Sequence, residues 1–235
     1  MHDYEALYAN VAALALADED LVGPGDFDRV GAIELTILRE AGLAPDHVLV
    51  DLGCGAGRLA LHAVPFLDRG EYVGIDLSRH ALRRAAANVA RLEPRPSCRV
   101  RWLHNVETSF PLGDRVADLI CAFSVFTHLE HEDTYRYLAD AIRVVRAGGQ
   151  FVFSCLPLDR EVSRDVFLES AALPLRKRWR RVRNVTTSRD LMDAVSALAG
   201  WRVVGWYDGD EARWSIAGSA NPAMLGQSIC VLQRP

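Results

Sequence analysis

The stretch Val48-Leu-Val-Asp51-Leu-Gly53-Cys-Gly55-Ala-Gly57-Arg58 decides the fold class of this protein. The apolar, partly β-branched run before Asp51 predicts a buried strand over 47–51. The three glycines that follow predict a tight turn, and a helix is expected over 58–69. A glycine turn between the first strand and first helix of a doubly wound α/β sheet is where such sheets bind nucleotides.

Beyond this turn, strands and helices alternate along the chain. The apolar runs predict strands over 71–76, 99–103, 117–123 and 150–154, with helices from Ser78 to about Arg91 and from 130 to the Gly148-Gly149 pair. After a polar insert over 156–187, we expect a helix over 188–199 and strands over 201–206 and 228–232. This order predicts one α/β domain over 1–235, with a doubly wound, mostly parallel seven-stranded sheet. Residues 1–44 would form a short N-terminal helical cap.

The spacing of the three glycines argues against a dinucleotide site. A dinucleotide fingerprint needs a third glycine or alanine at position 58, and the sequence has Arg58 there. Asp51 also places a negative charge at the end of the strand, where a pyrophosphate would be repelled. The spacing and the charge together therefore argue against an NAD site.

Asp76 ends the second predicted strand, where α/β nucleotide sites place a carboxylate on ribose hydroxyls. One carboxylate can accept hydrogen bonds from both hydroxyls. The structural alternative is that Asp76 caps the helix that follows, but Ser78 is better placed for that cap. We therefore predict that Asp76 binds ribose.

Five ordered segments resemble the class I S-adenosylmethionine (SAM) dependent methyltransferases, in the branch that acts on small molecules. They are Asp51-Leu-Gly-Cys-Gly-Ala-Gly57, Gly74-Ile-Asp-Leu-Ser78, Asn105-Val-Glu107, Ala122-Phe-Ser-Val-Phe-Thr-His-Leu129 and Arg143-Val-Val-Arg-Ala-Gly-Gly149. Shorter echoes of the same branch lie at 23–31 and 226–228. The resemblance implies the Rossmann-like methyltransferase fold, SAM as the cofactor and S-adenosylhomocysteine as the product.

The resemblance also implies a role for each residue of the cofactor site. Gly53, Gly55 and Gly57 would let the methionyl part of SAM lie against the backbone. The Asp51 carboxylate would bind the ammonium group of SAM, directly or through water. The remaining members of the set are Asp76 on the ribose, Leu77 on the adenine face, Asn105 on the adenine amino group, Val106 with its backbone amide on the ring, and Phe123. Relatives usually have aspartate where this chain has Asn105, whose amide oxygen can accept the same hydrogen bond.

Two residues of this set have competing interpretations. The guanidinium of Arg58 could reach the methionyl carboxylate of SAM, or it could form a salt bridge on the first helix. His128 follows the fourth predicted strand and is the candidate general base, because an imidazole titrates near neutrality. A structural histidine bonded to a loop carbonyl is the alternative. Some relatives support such a base with an aspartate at the end of strand five, where this chain has Cys155.

The insert carries a basic run, Leu175-Arg-Lys-Arg-Trp-Arg-Arg-Val-Arg183. Three interpretations compete: a solvated face, recognition of an anionic or carrier-tethered small acceptor, and RNA binding. Near the amino terminus, Tyr4 and Tyr8 would share one face of a helix. They would either pack the cap onto the core or reach over the cofactor.

Composition excludes several other classes of protein. The net charge of -4 over 235 residues provides no general attraction to nucleic acid or to an anionic membrane. Five scattered cysteines without a C-x-x-C pair predict neither disulfides nor a metal site. The amino terminus lacks the pattern of a signal peptide, and no apolar run reaches membrane-spanning length. We therefore expect a cytoplasmic protein.

These observations predict an enzyme that transfers a methyl group from SAM to an oxygen or nitrogen atom of a small molecule, in specialised metabolism. An RNA methyltransferase that uses the basic insert is one alternative, although no N-P-P-[YF] or catalytic cysteine motif follows strand four. A binding subunit that has kept the fold but lost catalysis is another. The sequence leaves the acceptor, the methylated atom and the oligomeric state open.

Overall fold

The computed structural model describes residues 27–178, 184–216 and 218–235. Tyr4, Tyr8 and most of the predicted N-terminal cap lie outside the described residues, as does the second half of the basic run. The chain divides into two compact units. The first consists of Met1–Val106 with Trp214–Ala223, and the second of Glu107–Arg213 with Met224–Pro235.

The first unit alternates helices and parallel strands. In chain order its elements are α1 (Phe27–Glu40), β1 (Val48–Leu52), α2 (Ala60–Phe66), β2 (Glu71–Asp76), α3 (Arg79–Val89) and β3 (Arg99–His104). Strand β2 lies between β1 and β3 and pairs in parallel with both. Asp51 of β1 is opposite Gly74 of β2, and Asp76 of β2 is opposite His104 of β3. The carboxyl ends of the strands therefore bring Asp51, Asp76 and the glycine turn to one edge.

The second unit contains the other four strands. Its elements are β4 (Ala117–Ala122), α4 (His131–Val144), β5 (Val145–Cys155), α5 (Glu161–Ala171), α6 (Leu175–Arg178), α7 (Arg189–Leu198), β6 (Arg202–Tyr207) and β7 (Ser228–Gln233). The strand order is β4-β5-β7-β6. Strands β4 and β5 are parallel, and β7 runs antiparallel to both β5 and β6. Phe151 and Phe153 of β5 are fully buried and pack edge-to-face at the centre of this unit.

The structure confirms the predicted α/β fold with seven mostly parallel strands. The predicted bounds of β2 are confirmed, and so is the predicted helix cap at Ser78. The hydroxyl of Ser78 accepts a hydrogen bond from the backbone N–H of Ala81, and that of Ser188 accepts one from Leu191, each at 3.2 Å. A serine at this position satisfies one backbone donor of the first helical turn.

The predicted junction between the fourth helix and the fifth strand is wrong. The helix was expected to continue to Gly148-Gly149, but α4 ends at Val144 and β5 begins at Val145. Val145 has the extended conformation (φ -77°, ψ 141°) and pairs with Ala117 of β4. Two consecutive β-branched residues at this point favour the strand over the helix. The glycine pair therefore lies inside the early part of β5.

None of the helices within the described ranges has the length and apolar character to span a bilayer. The five cysteines are free and buried. Cytoplasmic localisation stays a prediction.

Candidate functional site

The glycine turn after β1 has a backbone that only glycine adopts without strain. Gly53, Gly55 and Gly57 have φ angles of 72°, 53° and 86°, all in the left-handed region. The backbone N–H groups of Gly53 and Cys54 both donate to the carbonyl of Ile75, at 2.8 and 3.1 Å. The turn is therefore fixed to the end of β2, and it presents bare backbone at the carboxyl edge of the unit.

Asp76 joins this turn to the start of α3. Its Oδ2 accepts a hydrogen bond from the Gly55 N–H at 2.9 Å, and its Oδ1 accepts one from the Ser78 N–H at 2.7 Å. Burial raises the pKa of this carboxyl group above its ordinary value, and the two N–H donors oppose that rise. Each carboxylate oxygen can accept a second hydrogen bond. The geometry thus leaves Asp76 able to accept from two ligand hydroxyls.

Asp51 lies deeper in the unit than Asp76. Its side chain is buried, and its Oδ2 accepts a hydrogen bond from the hydroxyl of Tyr72, which is fully buried on β2. A buried carboxylate needs such a partner, because an unpaired charge away from water is costly. The tyrosine hydroxyl therefore fixes the orientation of the Asp51 carboxylate.

Arg58, directly after the turn, pairs with Glu34 of α1. Its Nη2 lies 2.5 Å from Oε1 of Glu34, and its Nε donates to Oε2 at 3.3 Å. Glu34 is only 2% exposed, and burial raises its pKa while the adjacent guanidinium opposes that rise. The structure therefore supports the salt-bridge alternative for Arg58, with a partner on α1. Contact between Arg58 and the SAM carboxylate stays a prediction.

The predicted adenine-binding residues lie at the ends of β2 and β3. The backbone N–H of Asn105 donates to the carbonyl of Asp76 at 3.1 Å, and Nε2 of His104 lies 2.9 Å from the carbonyl of Leu77. Val106 follows directly and is 47% exposed. The structure thus brings Leu77, Asn105 and Val106 together at the carboxyl edge, beside Asp76.

In the second unit, a polar cluster follows β4. Phe123 is buried, and Ser124 after it has φ 58°, an uncommon backbone for a residue with a side chain. The Ser124 N–H donates to the hydroxyl of Ser154 at 2.7 Å. That hydroxyl donates to Oε1 of Gln227 at 2.6 Å, and Nε2 of Gln227 donates to the Ser124 hydroxyl at 3.0 Å. These bonds hold the segment after β4 against the start of β7.

His128 lies in the same segment as this cluster and is half-buried. Its backbone N–H donates to the carbonyl of Val125 at 2.9 Å, which closes a short turn before α4. Cys155, at the end of β5, is buried, and burial raises the pKa of its thiol to about 12. A neutral thiol cannot supply the charge with which an aspartate would orient an imidazole.

Comparison with known proteins identifies the family. Residues 49–149 match a family described as a methyltransferase domain, and this range contains the glycine turn, Asp76 and Asn105. This range is therefore a methyltransferase domain, and the fold around it is that of the class I SAM-dependent methyltransferases. This methyltransferase therefore uses SAM as its cofactor.

Three relatives show how far the similarity extends. A malonyl-[acyl-carrier protein] O-methyltransferase from Geobacter sulfurreducens is 29% identical over 201 residues, which cover 82% of this chain and 72% of that protein. A ribosomal RNA large subunit methyltransferase G from Magnetococcus marinus is 30% identical over 116 residues, or 48% of this chain and 31% of that one. The structure of magnesium protoporphyrin IX methyltransferase from Synechocystis, with bound S-adenosylhomocysteine, superposes with a TM-score of 0.69 at 13% identity. That superposition covers 99% of this chain and 98% of the other.

The described geometry of the methyltransferase fits SAM. The glycine turn removes side chains where a ligand would approach the backbone, and Asp76 has free acceptor capacity for ribose hydroxyls. The buried carboxylate of Asp51 would repel a pyrophosphate and suits a cation instead. The residues at the edge of the first unit are therefore chemically suited to a nucleoside that carries an amino acid.

Three residues that support the site are not evident from the sequence motifs. Glu34 lies among the buried apolar residues of α1, and a carboxylate within an apolar helix face is the local signal for its role. Tyr72 lies on the same face of β2 as Asp76, by the two-residue period of a strand. Gln227 belongs to the short segment at 226–228 that resembles the family, but its partners Ser124 and Ser154 are far away in the sequence.

Proposed function

We propose that this methyltransferase moves the methyl group of SAM to an oxygen or nitrogen atom of a small-molecule acceptor. The extent of the similarity to the malonyl-[acyl-carrier protein] O-methyltransferase carries this proposal, since that match covers 82% of this chain. The match to the ribosomal RNA methyltransferase covers 48% of it. The proposal therefore favours a small acid attached to a carrier over RNA as the acceptor.

We assign the cofactor roles to the residues at the carboxyl edge of the first unit. Asp76 would accept from the ribose hydroxyls through the second acceptor site on each oxygen, while it keeps the turn and the start of α3 in place. Gly53, Gly55 and Gly57 would let the methionyl chain lie on the backbone, and Asp51 would attract its ammonium group.

The adenine ring would lie against the side chain of Leu77. The Asn105 amide oxygen would accept from the adenine amino group, and the backbone N–H of Val106 would donate to a ring nitrogen. Support comes from the position of all three residues beside Asp76, with the Asn105 backbone bonded to the Asp76 carbonyl. Phe123, which follows β4, stays a predicted member of the set.

SAM supplies, when bound, a methyl group that its sulfonium has already activated. The protein must align the acceptor atom with that methyl group and remove the proton of the acceptor. We propose that the imidazole of His128 accepts this proton, because neutral imidazole is a base near physiological pH. The position of His128 after β4, next to the Ser124 cluster, supports the role.

Replacement of the imidazole tests this assignment. His128→Ala should lower the rate of methyl transfer by about a hundredfold or more, with unchanged affinity for S-adenosylhomocysteine. His131→Ala, which removes another imidazole three residues away at the start of α4, is the matched control and should keep its activity. Full activity of His128→Ala would leave this histidine with a structural role only.

The acceptor class is tested by the formation of S-adenosylhomocysteine. We expect turnover with malonyl-acyl carrier protein or malonyl-coenzyme A as the acceptor, and none with ribosomal RNA transcripts. Turnover with RNA alone would favour an RNA methyltransferase and overturn the proposal. S-adenosylhomocysteine binding without any turnover on small acids, nucleotide sugars or RNA would favour a non-catalytic subunit.

A further inference from the structure

An open cavity of about 400 Å³ lies between α3 and β3 in the first unit. Its lining consists of Arg79, Leu82, Arg83, Ala86, Trp102 and His104. None of these residues belongs to the set assigned to SAM. The volume is within the range of about 300–1,000 Å³ found for small-molecule sites. The cavity is therefore large enough to hold a ligand of its own.

Two of the lining residues are arginines that have no protein partner among the described residues. Arg79 and Arg83 are four residues apart on α3, so they project on one face of the helix and repel each other. Within the described ranges, neither has an ion pair or a hydrogen bond. By contrast Arg58, Arg143 and Arg146 are all paired with carboxylates. An anion held between Arg79 and Arg83 would remove their repulsion.

The opposite wall of the cavity is a fixed aromatic ring. The indole of Trp102 lies over Gly74, where an added Cβ would be 2.6 Å from Cε3 and Cζ3 of that ring. Tyr72 packs against the same indole edge-to-face, with 5.6 Å between centroids. Gly74 and Tyr72 therefore hold the indole in one position, and its remaining surface lines the cavity. A rigid ring of this kind suits a planar ligand.

His104 lies at the end of the cavity toward the cofactor residues. Its Nε2 lies 2.9 Å from the Leu77 carbonyl, so this nitrogen carries the donated hydrogen. Its register partner on β2 is Asp76. The cavity thus borders the proposed SAM site without sharing a residue with it.

We propose that this cavity is a second ligand site, which binds the phosphate groups of a nucleotide-sized ligand. Arg79 and Arg83 hold the phosphates, since a guanidinium donates two parallel hydrogen bonds to phosphate oxygens. The Trp102 indole lies against the planar base of the ligand. Leu82 and Ala86 provide the apolar floor between them. The site is independent of the acceptor proposed above.

Calorimetry with adenosine diphosphate tests this site in the full chain. S-adenosylhomocysteine is present at saturation, so that the adenosine part of the probe cannot enter the cofactor site. We expect binding that weakens as salt is added, because exposed charges are screened. Arg79→Gln with Arg83→Gln should weaken it at least about tenfold, since each lost charged hydrogen bond weakens binding by about that factor. Arg84→Gln, on the same helix but outside the lining, is the matched control and should bind as wild type does.

Two further probes separate the parts of the ligand. Trp102→Phe should weaken the binding of adenosine diphosphate but leave the binding of inorganic pyrophosphate unchanged, because only adenosine diphosphate has a base. The proposal is overturned if saturating S-adenosylhomocysteine abolishes probe binding, since the cavity would then belong to the cofactor site. The proposal is also overturned if Arg84→Gln weakens the binding of adenosine diphosphate as much as the double variant does. Tighter binding of oligouridylate than of the diphosphate, with the same dependence on Arg79 and Arg83, would make the cavity an RNA contact instead.

Discussion

The glycine turn with its surroundings and the insert between β5 and β6 both contain charged residues, but they hold them differently. Around the turn, Glu34 and Asp51 are buried, and each has a specific partner, Arg58 and the Tyr72 hydroxyl. In the insert, helix α5 buries Ser163 and helix α6 buries no residue at all. Arg176, Lys177 and Arg178 of α6 are exposed.

This difference shows where charge contributes to the fold and where it does not. A buried charge is tolerated only with a partner, so each charge near the turn constrains the position of another element. An exposed charge keeps its water and constrains little. The first unit is thus held in place by its polar contacts, whereas helices α5 and α6 can change sequence at little cost to stability. The following substitutions test that contrast.

Loss of the Arg58 guanidinium should have the largest effect. Arg58→Leu leaves the buried Glu34 carboxylate without its cation, which should lower the free energy of unfolding by about 3–5 kcal/mol near neutral pH. The pKa of Glu34 is already raised by burial, and it should rise further without Arg58. A raised folded-state pKa means that stability returns as the pH falls and Glu34 takes up a proton. Urea unfolding at about pH 7.5 and about pH 5 measures both effects.

The double variant Glu34→Gln with Arg58→Leu serves as the control, because it removes both charges together. Its loss of stability should be smaller than that of Arg58→Leu alone and should not depend on pH over this range. An equal loss for Arg58→Leu at both pH values would contradict the role given to the Glu34 charge.

A side chain within the glycine turn should abolish cofactor binding with a smaller effect on folding. Gly55 has φ 53°, so Gly55→Val introduces left-handed strain of about 1–2 kcal/mol and places a branched side chain in the turn. We expect no measurable S-adenosylhomocysteine binding by calorimetry. Gly113→Ala is the control, since Gly113 has no positive φ and an added Cβ would meet Val116 at an ordinary 3.8 Å. Retained binding by Gly55→Val would remove the turn from the cofactor site.

Asp76→Asn should weaken the binding of S-adenosylhomocysteine by about tenfold, because an amide oxygen is a weaker hydrogen-bond acceptor than a carboxylate. Burial raises the pKa of Asp76, so protonation should weaken binding to the wild type at a higher pH than for an exposed aspartate. Affinity should therefore be highest when the carboxyl group is ionised and should decline as the pH falls and Asp76 takes up a proton. The asparagine variant should lack this decline. A wild-type affinity that does not depend on pH would contradict a role for the Asp76 charge.

Neutralisation of helix α6 should have the smallest effect. The triple variant Arg176→Gln, Lys177→Gln, Arg178→Gln should change the free energy of unfolding by no more than about 0.5 kcal/mol, because these side chains are exposed. S-adenosylhomocysteine affinity should be unchanged. A higher KM for a malonyl acceptor would support the predicted role of the insert in recognising an anionic acceptor. Unchanged kinetics would leave the insert a solvated face. A loss of stability above about 1 kcal/mol would contradict the difference between the paired charges around the glycine turn and the exposed charges of the insert.

Local sequence signals predict the elements of the first unit well. The bounds of β2 and the cap at Ser78 follow from short-range chemistry, namely an apolar run and a hydroxyl before a helix. The junction at Val145 was not predicted, because its strand conformation depends on pairing with Ala117 as well as on local propensity. Helices α5 and α6 are not predicted within the insert, because their residues do not form a helix face that is both apolar and buried.

The sequence alone determined the class of protein and the chemistry at its centre: the G-x-G-x-G turn, the carboxylate of Asp76 and the alternation of strands and helices. Each of these depends on residues that are neighbours in the chain, so their spacing carries the information. Only the tertiary structure decided which groups support them. Arg58 meets Glu34 across 24 residues and Tyr72 meets Asp51 across 21, and the cavity beside Trp102 requires α3 and β3 to pack together. Burial selects such partners, because a charged side chain that is removed from water is stable only beside a group that pairs with it.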